Sequence, residues 1–141
     1  ILGNKTISKN MSKKMSADTS ALNWFEIAVT NLARATKFYE TIFDIKMTTA
    51  DMGGMKMAMF PPDGMSGKVG GALVQSEMHH PSAKGSIIYL NANPDLKLVQ
   101  DRIEKASGKV TMPKTLISEE IGYMAFFTDT EGNTVALHSS K

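Results

Sequence analysis

Glu26 and His138 are the two side chains of this 141-residue chain best placed to share a proton. Each stands in a run of alternating apolar residues, Trp24-Phe25-Glu26-Ile27-Ala28-Val29 and Thr134-Val135-Ala136-Leu137-His138. A carboxylate and an imidazole in a dry pocket can act as general base and acid, or can orient the polar atoms of a bound molecule. A polar pair that merely fixes a sheet fits the same pattern. Around them stand groups that bind rather than react. Trp24 and Tyr89 offer flat aromatic faces, and Asn91 offers both a donor and an acceptor. His79 and His80 are adjacent, beside Pro81, with no third donor in view, and are expected to form a solvated linker. Met55, Met57 and Met59 alternate and so share one strand face, where core filling is the expectation and a pocket wall the alternative. The glycines at 53–54 and 67–71 lack the Lys-Ser/Thr and the strand-turn-helix context of a phosphate loop.

Composition narrows the chemistry further. There is no cysteine, which excludes thiolate nucleophiles, disulfides and cysteine zinc sites and fits a cytoplasmic protein. The net charge of +2 gives no field for nucleic acid, and five of the 16 basic residues (Lys5, Lys9, Lys13, Lys14, Lys141) lie in the terminal segments. No apolar run is long enough for a membrane helix, and no apolar stretch follows the first lysines, so neither membrane association nor a signal peptide is expected. The hydrophobic fraction of 42% supplies one sizeable core.

The elements that must carry these groups can be read from periodicity. Residues 1–21 are polar and aperiodic and read as an amino-terminal arm; a single domain is expected over 22–141. Residues 24–29 alternate as a strand, and Thr30 or Asn31 can cap a helix whose apolar stripe is Leu32, Ala35, Phe38, Tyr39, Ile42 and Phe43. Strands are expected at 45–50, 55–60 and 70–75, the first two joined by a Gly53-Gly54 hairpin. After the 79–82 break the order recurs. A strand at 86–92 leads to a helix capped by Asn93, with Pro94 first inside and Gly108 at its end. Strands at 109–117, 123–128 and 134–139 follow. Phe25 and Ile88, and likewise Thr30 and Asn93, are 63 residues apart, a repeat of modules at about 23–77 and 85–139. The fold class is therefore α+β, with two β-α-β-β-β modules.

Alternation then sorts the faces. Phe25, Ile27, Val29, Ile88, Leu90, Ala92, Val135 and Leu137 should meet the helices. Trp24, Glu26 and Ala28, with Ile87, Tyr89, Asn91, Thr134, Ala136 and His138, occupy the opposite, mixed faces. If these curve toward each other they enclose a cup suited to a small molecule.

Val29-Thr30-Asn31-Leu32-Ala33-Arg34-Ala35-Thr36-Lys37-Phe38-Tyr39 resembles the V-x-D-L-x-R-(A/S)-x-x-F-Y opening of the vicinal oxygen chelate superfamily. That group includes glyoxalase I, the bleomycin-resistance proteins and the extradiol dioxygenases. Phe127-Thr128-Asp129-Thr130-Glu131-Gly132-Asn133 with Leu137 is similar to its F-x-D-P-x-G-N-x-x-x-L ending, and Leu90-Asn91-Ala92-Asn93 to the L-x-V-D of its second module. The resemblance spans about 23–139 and implies a cupped, barrel-like mixed sheet with helices on its outer face, often completed across a homodimer. Carried over by position, the metal ligands of the family fall on Trp24, Ala72, Ile87 and Ala136, none of which can coordinate an ion. No metal or other cofactor is therefore expected. The expected function is metal-independent binding of a small molecule by Trp24, Glu26, Tyr89, Asn91 and His138. The alternatives are a lyase or isomerase using Glu26 and His138 for proton transfer, a divalent-metal enzyme with those two as surviving ligands, and an interaction module with a vestigial pocket.

Overall fold

The structure, a computed structural model, describes residues 13–62 and 66–141. Most of the expected arm lies outside the described residues, and residues 13–23 form neither helix nor strand. Eight strands and two helices follow in two rounds. The first is β1 (Trp24–Ala28), α1 (Leu32–Phe43), β2 (Thr48–Met52), β3 (Met55–Met59) and β4 (Gly70–Gln75). The second is β5 (Tyr89–Asn91), α2 (Leu96–Ile103), β6 (Lys109–Ser118), β7 (Gly122–Thr128) and β8 (Thr134–Ser139). The strands make two four-stranded mixed sheets, ordered β1-β4-β3-β2 and β5-β8-β7-β6. In each, the first and last strands of a module run parallel and the other pairs antiparallel. Gly53 and Gly54 both take positive φ, as a two-residue hairpin turn requires.

Helix α1 starts where Asn31, in extended conformation, accepts a hydrogen bond from the Arg34 N–H at 3.0 Å. Its stripe Ala35, Phe38, Tyr39 and Ile42 is buried. The second cap departs from the sequence reading. Asp95, not Asn93, caps α2, its carboxylate accepting from the Lys97 N–H at 2.9 Å. The Asn93 side chain is spent elsewhere, accepting from the Ser140 N–H at 2.8 Å. One residue is thus inserted between strand and helix in the second module, and the repeat offset grows from 63 to 64 between Val29/Ala92 and Asn31/Asp95. Gly108 is not the left-handed residue after α2 either; Ser107 takes that conformation at φ 79°. Gly108 is needed for space, since a Cβ there would lie 2.6 Å from the Phe38 ring.

The helix-side residues of both sheets and both helices form one continuous core. Ile27, Val29, Phe38, Tyr39 and Leu73 join Leu90, Leu96, Ile103, Phe127, Val135 and Leu137 in it. Phe38 and Phe127 bring the modules together at a ring separation of 6.0 Å. The same seam carries a polar clasp. The β7–β8 turn of the second module enters the β1–α1 junction of the first. The Glu131 side chain is fully buried there and accepts hydrogen bonds from the Thr30 and Asn31 N–H groups, each at 2.9 Å, and from the Arg34 Nε at 2.8 Å. Burial would raise its carboxyl pKa. The hydrogen bond from Arg34, joined by the Asn31 N–H, the Thr130 hydroxyl and the Thr30 N–H, overrides burial and lowers it from 4.5 to about 2. Beside it the Tyr39 hydroxyl donates to the buried Asp129 at 2.8 Å, and the Asn133 amide donates to the Ala28 carbonyl at 2.7 Å. Burial first, then the Asp129 charge, pushes the Tyr39 phenol well up, so it stays a donor. Glu131 and Asp129 sit in the stretches that carry the family resemblance, so those motifs describe a joint rather than an active site.

Candidate functional site

The face of the first sheet turned away from the helices is an apolar floor with a polar rim. Register places Trp24 and Glu26 of β1 beside Gly70 and Ala72 of β4, and Met57 and Met59 of β3 beside Val74 and Ala72. Met57, Ala72 and Val74 are buried there, with Trp24, Met55 and Met59 packed against them, in a cluster separate from the main core. Met57 is thus buried, as core filling requires, but in a cluster on the face turned away from the helices, with Met55 and Met59 packed against it. Parity along β3 could not say which face was inside; pairing with β4, where Ala58 rather than Met57 meets Leu73 of the main core, decides it.

Glu26 stands at the rim and is one-third exposed. Its Oε2 accepts from the Trp24 indole N–H at 3.3 Å, which fixes the indole plane. Its Oε1 lies 2.8 Å from His79 Nε2, and His79 Nδ1 lies 2.6 Å from the Ser76 hydroxyl. His79 is thus no solvated linker residue. Its side chain is 18% exposed and bonded at both ring nitrogens. The turn after β4, closed by the His79 N–H on the Ser76 carbonyl, folds it back onto β1. Of the two adjacent histidines, His80 is the exposed one. The signal available in the sequence was the Ser76–His79 spacing of a turn directly after β4, the strand parallel to the one that carries Glu26.

Tyr89, Asn91 and His138 share the corresponding face of the second sheet, where Tyr89 pairs with Ala136 and Asn91 with His138. Tyr89 meets Phe126 edge-to-face at 5.9 Å and is half exposed. Asn91 accepts from both the backbone and the side-chain N–H of Asn93. His138 Nε2 lies 2.7 Å from the Ile121 carbonyl. Trp24 is thus brought to Glu26, and Tyr89 to Asn91 and His138, but Glu26 and His138 are not brought together within one chain. They lie on separate sheets whose helix-side faces meet in the common core.

The positions onto which the family resemblance carries the metal ligands hold Trp24, Ala72, Ile87 and Ala136, whose side chains offer no metal donor. Among the described residues no three of His, Cys, Asp and Glu converge. These residues do not fit a catalytic metal. Two open grooves lie instead near the end of the first sheet. One, of about 510 Å³, is walled by the first turns of α1, Glu40, Thr49, Lys56 and Gln75. The other, of about 390 Å³, is bordered by Thr30, Lys56, Gln75, Ser76, His79 and His80. None of the five residues expected to bind a ligand lines either groove. Among the described residues no helix is long and apolar enough to cross a membrane.

Comparison with known proteins agrees with this architecture. The sequence profile of the Glyoxalase/Bleomycin resistance protein/Dioxygenase superfamily matches residues 21–137. A glyoxylase-like domain-containing protein of Didymella fabae is 30% identical over 126 residues, covering 82% of this chain and 91% of its own. A glyoxylase/bleomycin resistance protein/dioxygenase domain from Frankia sp. EAN1pec superposes with a TM-score of 0.64 at 16% identity, over 88% of this chain and all of that one. Glyoxalase I of Zea mays does so with a TM-score of 0.62 at 19% identity, over 84% of this chain and 44% of its own. At such identities the structural likeness speaks for the fold alone.

Proposed function

This chain belongs to the Glyoxalase/Bleomycin resistance protein/Dioxygenase superfamily, and from that premise we propose that it binds a small, largely apolar or aromatic molecule without the help of a metal. The observation that carries the reading is the first sheet's outer face. Trp24 donates its indole N–H to Glu26 and packs in one cluster with Met55, Met57 and Met59, an adaptable apolar surface with one carboxylate at its rim. The donor-free positions at 24, 72, 87 and 136 support the metal-independent part. In this reading Trp24 stacks on the ligand, Glu26 orients a donor group on it, and no cofactor takes part.

The second half of the site is proposed to come from a second copy of the chain. Ile87 and Tyr89 on the other sheet are 41% and 50% exposed. A homodimer that laid this face over the first sheet of its partner would complete a cup with Tyr89, Asn91 and His138. Proton transfer between Glu26 and His138 is the alternative, and it needs the same dimer, since each residue has other partners within its own chain.

Trp24 is the only tryptophan, so its fluorescence reports on the face directly. Titration of the protein with planar aromatic compounds is expected to give saturable quenching that a chelator leaves unchanged. Stoichiometric binding of nickel, zinc or iron, with quenching that depends on it, would overturn the metal-independent reading. Mixing Trp24→Phe and Tyr89→Ala chains is expected to restore a fraction of the sites that neither variant has alone, because a mixed dimer keeps one intact cup.

A further inference from the structure

We propose that Ser76, His79 and Glu26 form a nucleophilic relay that hydrolyses small activated esters in the groove beside β4. The three are linked in one line: Ser76 Oγ to His79 Nδ1 at 2.6 Å, then His79 Nε2 to Glu26 Oε1 at 2.8 Å. A carboxylate has no proton to give, so the hydrogen on the second link belongs to His79 Nε2. In the neutral ring Nδ1 then carries only a lone pair, and the first link is donated by the Ser76 hydroxyl. This is the connectivity of nucleophile, base and orienting carboxylate, with the two ring nitrogens exchanged relative to the usual serine hydrolase. The Ser76 oxygen also accepts the Met78 N–H at 3.1 Å, which fixes the hydroxyl and leaves its second lone pair free.

The surroundings suit the chemistry. Ser76 and His79 border the groove of about 390 Å³, a volume in the range of small-molecule sites. Lys56 lines the same groove and supplies a cation for the negative charge that develops on a carbonyl oxygen. In the first step Ser76 Oγ bonds to the carbonyl carbon and its proton passes to His79 Nδ1. The bond from that carbon to the alcohol oxygen then breaks, and the departing oxygen takes the proton from Nδ1. In the second step water attacks the acyl-serine, gives a proton to Nδ1, and the bond to Ser76 Oγ breaks with return of that proton to the serine. The products are the free acid and alcohol, and water is the sole co-reactant. The inference stands apart from the binding reading, which is centred on Trp24 and shares only Glu26 with it.

The test is to treat the full chain with a fluorophosphonate and with p-nitrophenyl acetate and to map the adducts by peptide mass. A single adduct on Ser76 is expected, absent in Ser76→Ala. His79→Asn is expected to slow labelling by about 10²-fold. Glu26→Gln is expected to lower the turnover of p-nitrophenyl acetate by roughly tenfold at unchanged KM, the mark of a positioning residue. An unlabelled wild-type chain, an adduct on another residue, or a His79→Asn chain that labels at the wild-type rate would overturn the proposal and leave His79 as a latch holding the turn on β1. Mapping on the wild type keeps the test independent of whether any variant folds.

Discussion

In the first module the Phe25 ring lies over Gly71, its partner on the parallel strand, so closely that a Cβ on that glycine would sit 2.4 Å from the ring. In the second module the register of β5 and β8, continued by one residue, gives the same place to Ile88 and Val135. One module fills the space under its helix with a large and a missing side chain, the other with two of middle size. The helix starts diverge in the same way. The first N–H of α1 is taken by the Gln75 side chain at 2.8 Å, that of α2 by Ser139 Oγ at 2.9 Å. The clasp is wholly one-sided: Glu131 of the second module secures the start of α1, whereas the start of α2 is held by its own module's last strand and by Asn93 on Ser140. Equal topology therefore does not mean equal means of support. A repeated backbone leaves each copy free to solve packing and capping with its own side chains, and only the first copy carries the Glu26–His79–Ser76 chain.

The largest test of this asymmetry is Glu131→Ala. It should remove about 3 kcal/mol in urea unfolding, because two backbone N–H groups lose the charged acceptor they share, while the half-exposed Arg34 regains water. A loss below about 1 kcal/mol would mean that the apolar seam alone joins the modules. The same carboxyl gives a pH signature. Its folded pKa is about 2 against an ordinary 4.5, so its stabilisation is complete above pH 4.5 and is lost as pH falls toward 2. The unfolding midpoint of the wild type should fall across that window more steeply than that of Glu131→Ala. Next in size, Gly71→Val should cost about 2 kcal/mol by overpacking against Phe25, and Phe25→Ile in the same chain should restore most of it by importing the second module's solution. Failure of the double variant to recover would show that the two packings are not interchangeable. Smallest, Gln75→Ala and Ser139→Ala should each cost about 1 kcal/mol, with the Ser139 change the larger because that residue is fully buried.

Alternation made the strand faces legible from sequence: Ile27 and Val29 enter the core, and Trp24 and Glu26 share the other face, as period two requires. Helix α1 was equally plain, because cap and stripe are both local. What escaped depended on partners remote in the chain. The role of Glu131 is set by Thr30, Asn31 and Arg34, about 100 residues away, and that of His79 by Glu26, 53 residues away. The Asp95 cap was missed because Asn93-Pro94 offers a valid cap of its own when the inserted residue is unseen. That Glu26 and His138 lie on separate sheets of one chain escaped for a further reason. Alternation fixes which residues share a sheet face but not how two sheets turn, and here the helix-side faces met.

The one-sided clasp also constrains how the protein is made. A ribosome releases the amino-terminal module first, with Phe38 and Tyr39 not yet covered by Phe127 and the start of α1 without its carboxylate. Only when Asp129–Asn133 emerges can that earlier half lock, so the nascent chain carries an unfinished, adhesive surface until the second module has followed the first.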